Sequence, residues 1–145
     1  MLRKKLIDLR EKNNFYQKDI AKILGIKQQT YSLWENGTKI IPLKHLNKLC
    51  NYYNVSMDYI LGLPSNNSTI NINKNKELDK NLIGKRIRII RDKNSLTLRE
   101  LAEVLNTTSS TISAYETGKN LILTAFAYEI CKRYNISMDW LCGRK

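Results

Sequence analysis

Two glutamine side chains at the start of a short helix carry the most distinctive chemistry in this sequence. Gln28 and Gln29 open the segment QQTYSLWE, and Ser32 and Leu33 fall on the same face as these amides. A pair of aromatic residues, spaced three positions apart, predicts a second face that is buried. A helix with amide and hydroxyl groups on one face is poor packing material, but it is well suited to hydrogen bonding in a nucleic-acid groove.

A second short helix precedes this one and positions it. Apolar residues recur through KDIAKIL at the i, i+3, i+4 spacing of one buried helix face, namely at Ile20, Ala21, Ile23 and Leu24. Gly25 follows, where a helix can end in a left-handed residue. The stretch from Gln17 to Gly37 therefore predicts a helix, a tight turn and another helix.

The whole motif occurs twice, because residues 81 positions apart match without a gap from Lys4 to Gly62. The run YNVSMDYILG in the first half meets YNISMDWLCG in the second, and Cys50 meets Cys131. An internal match of this length indicates two copies of one domain. We predict domain 1 at residues 1–63, a linker at 64–81 with its STININ segment as coil, and domain 2 at 82–145.

Each copy is predicted to be all-α and to contain five short helices. The first three are expected at 2–12, 17–24 and 28–35 in one copy, and at 82–93, 98–105 and 109–116 in the other. The fourth helix of the first copy begins after Pro42. The fifth begins at Ser56 or Ser137 and ends at Gly62 or Gly143.

The composition indicates a polyanionic partner. The formal net charge is +12 and the pI is about 9.7, which favours nucleic acid. No apolar run approaches the roughly 20 residues of a membrane span, and the charged start argues against a signal peptide. Three cysteines and one histidine form no zinc set. We expect reduced core thiols, no metal or cofactor, no enzymatic activity and a cytoplasmic location.

The residues of both copies resemble a known family. QKDIAKILGIKQQTYSLWENG with NVSMDYILG, and LRELAEVLNTTSSTISAYETGK with NISMDWLCG, look like phage-repressor and Cro-type helix-turn-helix proteins, also called the xenobiotic response element family. The resemblance covers nearly all of the chain outside the linker. It implies two tandem, lambda-repressor-like five-helix domains that bind double-stranded DNA and usually regulate transcription.

The resemblance assigns base contacts to the third helix of each copy, whose N-terminal end would point toward the bases in the major groove. A glutamine amide matches the hydrogen-bonding edge of adenine, and an apolar side chain can contact a thymine methyl group. The alternative for the glutamines is plain solvation, and for Leu33 it is packing against the fourth helix. The candidate base-reading residues are Gln28, Gln29, Ser32, Leu33, Ser109, Ser110 and Ser113.

Phosphate contacts are expected around the two ends of the motif. Gln17 matches the family's glutamine at the start of the second helix, and the loop after the third helix offers amides and side chains. The full phosphate-binding set is Gln17, Lys27, Asn36, Thr38, Lys39, Thr108, Lys119 and Asn120. Each copy also contains one pair that resembles the internal ion pair of the family. These pairs, Arg10 with Glu35 and Arg91 with Glu116, are expected to brace the fold.

The second copy departs from the first at its reading positions. Leu98 stands at the place of Gln17, and the serines are shorter than two glutamines. We expect this copy to fold and to bind DNA with weaker or different preference. The alternative is a dimerisation or effector surface built on Phe126, Trp140 and Leu141. Trp34 and Tyr115 are expected in the core, and His45 is expected to be exposed.

Two classes of function remain open at this point. The leading hypothesis is a sequence-specific transcriptional regulator that acts as a repressor. It would work as a homodimer or as an intramolecular pseudo-dimer. A linker of about 17 flexible residues has an r.m.s. span of roughly 20–25 Å and a maximum near 58 Å. It can therefore bridge half-sites roughly 34 Å apart. The other class is an antitoxin or protein-interaction module.

Overall fold

The computed structural model describes residues 1–64 and 76–145, and the elements within these ranges are all helices. The chain divides into two compact units, one on each side of residues 65–75. The predicted STININ coil and most of the predicted linker lie outside the described residues. The all-helical architecture with two tandem motifs agrees with the expectation from sequence.

Unit 1 contains five helices in the predicted order: α1 (Leu2–Lys12), α2 (Gln17–Leu24), α3 (Gln28–Glu35), α4 (Leu43–Tyr53) and α5 (Met57–Leu61). Unit 2 repeats them as α6 (Lys80–Lys93), α7 (Leu98–Val104), α8 (Ser109–Glu116), α9 (Thr124–Tyr134) and α10 (Met138–Leu141). Helix α6 begins two residues before the predicted Leu82, because the Asp79 carboxylate accepts hydrogen bonds from the amides of Asn81 and Leu82.

The turn between the two helices of each motif uses a left-handed residue, as the sequence predicts. Gly25 has φ 69° and Asn106, its counterpart, has φ 56°. Glycine adopts this conformation without steric cost and asparagine at a small one. The chain can therefore reverse direction within two or three residues and place the second helix against the first.

Equivalent positions form the two cores. In unit 1 each of the five helices contributes a side chain that is at most 1% exposed, at Leu6, Ile20, Tyr31, Leu46 and Ile60. The residues 81 positions later are equally buried in unit 2, at Ile87, Leu101, Ile112, Ala127 and Leu141. Burying one large aliphatic side chain contributes about 2 kcal/mol, so these positions hold each bundle together.

Three expectations about single side chains can be compared with this packing. Trp34 and Tyr115 are buried, as predicted, and Cys50, Cys131 and Cys142 are buried and not joined in a disulfide. The prediction that Leu141 offers an exposed interface is wrong, because this side chain is 0% exposed in the core of unit 2. Phe126 is half-buried and its ring lies 6.4 Å from that of Tyr115.

Candidate nucleic-acid interface

Helix α3 has one buried face and one outer face. Tyr31, Trp34 and Glu35 point into unit 1 and are buried. On the other side Gln28 and Gln29 are exposed, so both amides are accessible to solvent. Ser32 and Leu33 are half-buried. The structure therefore separates the four predicted base-reading residues into two that project freely and two that lie closer to the body of the unit.

A charged clamp fixes the inner face of α3 to α1. Arg10 donates from Nε and Nη2 to the two carboxylate oxygens of Glu35, at 2.8 and 3.0 Å, and from Nη1 to the Phe15 carbonyl at 2.9 Å. Burial is the largest influence on the Glu35 carboxyl and raises its pKa, but the hydrogen bonds from Arg10, the positive charge of Arg10 and the other donors at this carboxylate, Gln17 among them, together outweigh burial and hold that pKa below its ordinary value. The carboxylate therefore stays charged, and the bracing role expected for this pair fits its geometry.

Gln17 joins the same clamp from the start of α2. Its Nε2 lies 3.4 Å from Oε1 of Glu35 and donates a hydrogen bond to it, and the side chain is half-buried. The predicted phosphate ligand thus also braces α2 against α3. Its amide is oriented by a protein partner, and a donor that is already oriented loses less entropy when it binds a ligand.

The N-terminal end of α3 differs from that of its equivalent, α8. Lys27 precedes α3, is exposed and makes no side-chain capping bond. In unit 2 the Thr108 hydroxyl accepts a hydrogen bond from the Thr111 amide at 3.2 Å and lies 2.9 Å from the Thr111 hydroxyl. The Thr108 oxygen, predicted as a phosphate ligand, therefore serves as the cap of α8 in this structure.

The loop after α3 is held by its own backbone. The Thr38 amide donates to Oδ1 of Asn36 at 2.9 Å, and the Lys39 amide donates to the Leu33 carbonyl at 3.1 Å. These two amides already have partners, so the expected phosphate contacts fall to side chains. The Thr38 hydroxyl and the Lys39 ammonium belong to exposed residues.

The corresponding base-reading positions of unit 2 carry shorter side chains. Ser110 is exposed, whereas Ser109 and Ser113 are half-buried, and the backbone amides of Lys119 and Asn120 donate to the Ala114 carbonyl. The side chains of Lys119 and Asn120 remain exposed. The predicted serines thus lie along α8 and the predicted phosphate ligands lie in the loop that follows it, and the serine side chains are shorter than the glutamines of α3.

Unit 2 has the same arginine–glutamate clamp but no residue equivalent to Gln17 in it. Arg91 donates to the Glu116 carboxylate at 2.7 and 3.0 Å, which raises the pKa of the guanidinium further. Leu98 is half-buried at the place of Gln17. Its helix is capped by Thr97, whose hydroxyl accepts from the Glu100 amide at 3.1 Å.

Two features of unit 1 were missed from sequence. Tyr16 stands immediately before α2 and is 71% exposed, next to Gln17, so it belongs to the candidate surface. His45, expected to be exposed, is half-buried, and its ring centroid lies 5.4 Å from that of Trp34. The position of Tyr16 at a helix start could have indicated its place on this surface. The burial of His45 depends on a contact between α3 and α4 that no local pattern reveals.

Membrane-spanning helices and metal-binding clusters are both absent from the described residues. None of the helices in residues 1–64 and 76–145 combines the length and apolar character that crossing a membrane requires. Within the same ranges, no group of three or more His, Cys, Asp and Glu side chains is arranged to hold a metal ion.

Comparison with known proteins identifies the family. A family model described as helix-turn-helix matches residues 6–60 and again residues 87–141. Among solved structures, the chain is similar to the clp gene regulator ClgR from C. glutamicum, with 24% identity over 46% of this chain and 86% of that chain and a TM-score of 0.40. No curated protein sequence matches the chain. The two family matches cover most of the sequence, and the chain therefore belongs to the helix-turn-helix family, with two tandem copies of its domain.

Proposed function

We propose that this chain is a sequence-specific regulator of transcription that binds double-stranded DNA and acts as a repressor. Membership of the helix-turn-helix family supports a DNA-binding regulator, a class that is usually not enzymatic. In the proposed complex α3 and α8 each enter a major groove with the N-terminal end toward the bases. The net charge of +12 supplies attraction to the phosphate backbone.

The exposure of Gln28 and Gln29 carries this proposal. Both amides lie in the first turn of α3, while the opposite face of the helix is buried and clamped through Glu35. A reading helix needs this combination, because base contacts specify a sequence only when the helix is rigidly oriented. Each bidentate amide–adenine pair discriminates against the wrong base by about 1–3 kcal/mol.

We propose different roles for the two units on DNA. Unit 1 supplies most of the sequence discrimination, since it has two exposed glutamines at its reading end. Unit 2 adds affinity through its basic character and a weaker preference through its serines. One chain then acts as a covalent pseudo-dimer on an asymmetric site, and the second binding event benefits from the high effective concentration that a tether provides.

The first experiment selects bound sites from a pool of random duplexes and then compares variants on the selected site. Replacing both glutamines, Gln28→Ala with Gln29→Ala, should weaken specific binding about 10-fold or more and leave binding to random-sequence duplex nearly unchanged. The matched control combines Ser109→Ala with Ser110→Ala in unit 2, and this variant should lose less specific affinity. Equal losses on specific and random duplexes would show that the glutamines do not read bases.

A further inference from the structure

Resting on the proposed function, we propose that Arg3 is an additional phosphate-binding residue of unit 1, held in place by the end of the reading helix. Arg3 lies in the first turn of α1, and its Nε donates a hydrogen bond of 2.9 Å to the Glu35 carbonyl, the last residue of α3. Its guanidinium is therefore fixed at the point where α3 passes into the following loop.

The side chain of Arg3 also lies against that loop. A Cβ atom placed on Gly37 would be 3.1 Å from Cδ and 3.5 Å from Nη1 of Arg3. Gly37 has φ 83°, so the loop turns sharply at this residue. Two residues further on is Lys39, the exposed cation that is predicted from the sequence to bind a phosphate. Arg3 would thus extend the cationic surface formed by that loop.

The remaining donors of Arg3 are available to a ligand. An arginine side chain has five N–H donors in a rigid plane, and in the described part of the chain only the Nε donor is used. The residue is exposed. Because Nε is bonded to the Glu35 carbonyl, Nη1 and Nη2 have a restricted orientation. This geometry suits a phosphate, which accepts two parallel hydrogen bonds from an arginine.

Unit 2 has no equivalent cation. Gly84 stands at the place of Arg3, and there a Cβ would collide with the carbonyl oxygens of Tyr115 and Glu116. Helix α6 thus packs its backbone directly against the end of α8, whereas unit 1 accommodates a long charged side chain at the matching position. The difference adds to the asymmetry between the units and concerns affinity for phosphates, not base recognition.

The competing explanation is that Arg3 only stabilises the negative end of the α3 dipole. A purely structural role predicts a change in the stability of unit 1 and no change in the salt dependence of DNA binding. A phosphate contact predicts that the salt dependence of DNA binding becomes weaker when Arg3 is replaced. Each neutralised phosphate contributes about 0.9 to the slope of log affinity against log salt concentration.

The test compares Arg3→Gln with Lys12→Gln in the full chain, on the selected duplex, from about 50 to about 200 mM salt. Lys12 is an exposed cation at the other end of α1, so it controls for the loss of one charge. The loss of affinity over this range should be about 3.5-fold smaller for Arg3→Gln than for the unaltered chain. Arg3→Lys, which keeps the charge, should retain most of the slope. Thermal unfolding of all variants verifies folding.

Each outcome has a definite meaning. A steep slope for the unaltered chain, reduced more by Arg3→Gln than by Lys12→Gln, supports the phosphate contact. A steep slope that the two variants change equally overturns it and leaves the proposed function intact. A flat slope for the unaltered chain overturns the proposed function itself.

Discussion

The environment of one side chain, His45, makes the stability of unit 1 sensitive to pH. Its Nδ1 is buried and has no hydrogen-bond partner within the described residues, and its ring packs on Trp34. Burial, followed by the neighbouring charges of Lys44 and Lys48, lowers the pKa of the imidazole from its ordinary value of 6.5. The equivalent position in unit 2 is occupied by Phe126, which has no titratable group.

We predict that unit 1 loses stability in mild acid through His45. The folded-state pKa is depressed, so below about 6.5 the unfolded chain binds more protons than the folded one. The free energy of unfolding should therefore fall as the pH decreases from 6.5 toward the lower folded pKa. Denaturant unfolding, read from the midpoint of Trp34 fluorescence in a Trp140→Phe background, measures this loss.

The two copies supply matched controls for this prediction. His45→Phe, which installs the residue of unit 2, should remove the pH dependence of unit 1 between about pH 5 and 7.5. Phe126→His should introduce a similar dependence in unit 2. A pH dependence that persists unchanged in His45→Phe would assign the effect to another group.

The clamp between α1 and α3 is the central interaction among the helical elements. The Arg10 and Glu35 side chains are only 14% and 4% exposed, so screening by water is weak. Removing one partner of a buried pair leaves an uncompensated charge, which costs about 3 kcal/mol, whereas replacing both by apolar groups costs much less. The same argument applies to Arg91 and Glu116 in unit 2.

We predict that Arg10→Met destabilises unit 1 by about 3 kcal/mol and weakens specific DNA binding, because α3 is no longer held against α1. Combining it with Glu35→Leu should restore part of the stability. Unfolding midpoints of Trp34 for the two singles and the double give the coupling energy. Arg91→Met, made in parallel, should leave the Trp34 midpoint unchanged. A loss below about 1 kcal/mol in Arg10→Met would place the pair with ordinary surface ion pairs.

Local sequence patterns were sufficient for most helices and insufficient for side-chain environments. Apolar periodicity and left-handed turn residues located α2 and α3, since these signals depend on neighbours in sequence. The start of α6 is set by the Asp79 cap, which lies outside the apolar pattern of the helix. The positions of Arg3, His45 and Leu141 depend on contacts between helices distant in sequence, so composition and spacing could not determine them.

At the scale of the whole molecule, the duplication allows the asymmetry of recognition to be tested directly. The sequences selected by the unaltered chain should be asymmetric, with one well-defined half-site and one weak one, and light scattering should show one chain per duplex. A palindromic consensus bound by two chains would contradict this, because it would show that unit 1 pairs with unit 1 of another molecule.

Transferring the reading residues of unit 1 into unit 2 should make the consensus more symmetric. The variant combines Ser109→Gln and Ser110→Gln with Leu98→Gln, which gives α8 two amides and a potential partner for Glu116 at the place of Gln17. We expect its weak half-site to gain adenines, the bases that glutamine reads in the major groove, and its specific affinity to rise. Leu98→Gln alone is the control, since it restores bracing without base contacts. If the triple variant selects the same sites as the unaltered chain, unit 2 does not present α8 to the bases.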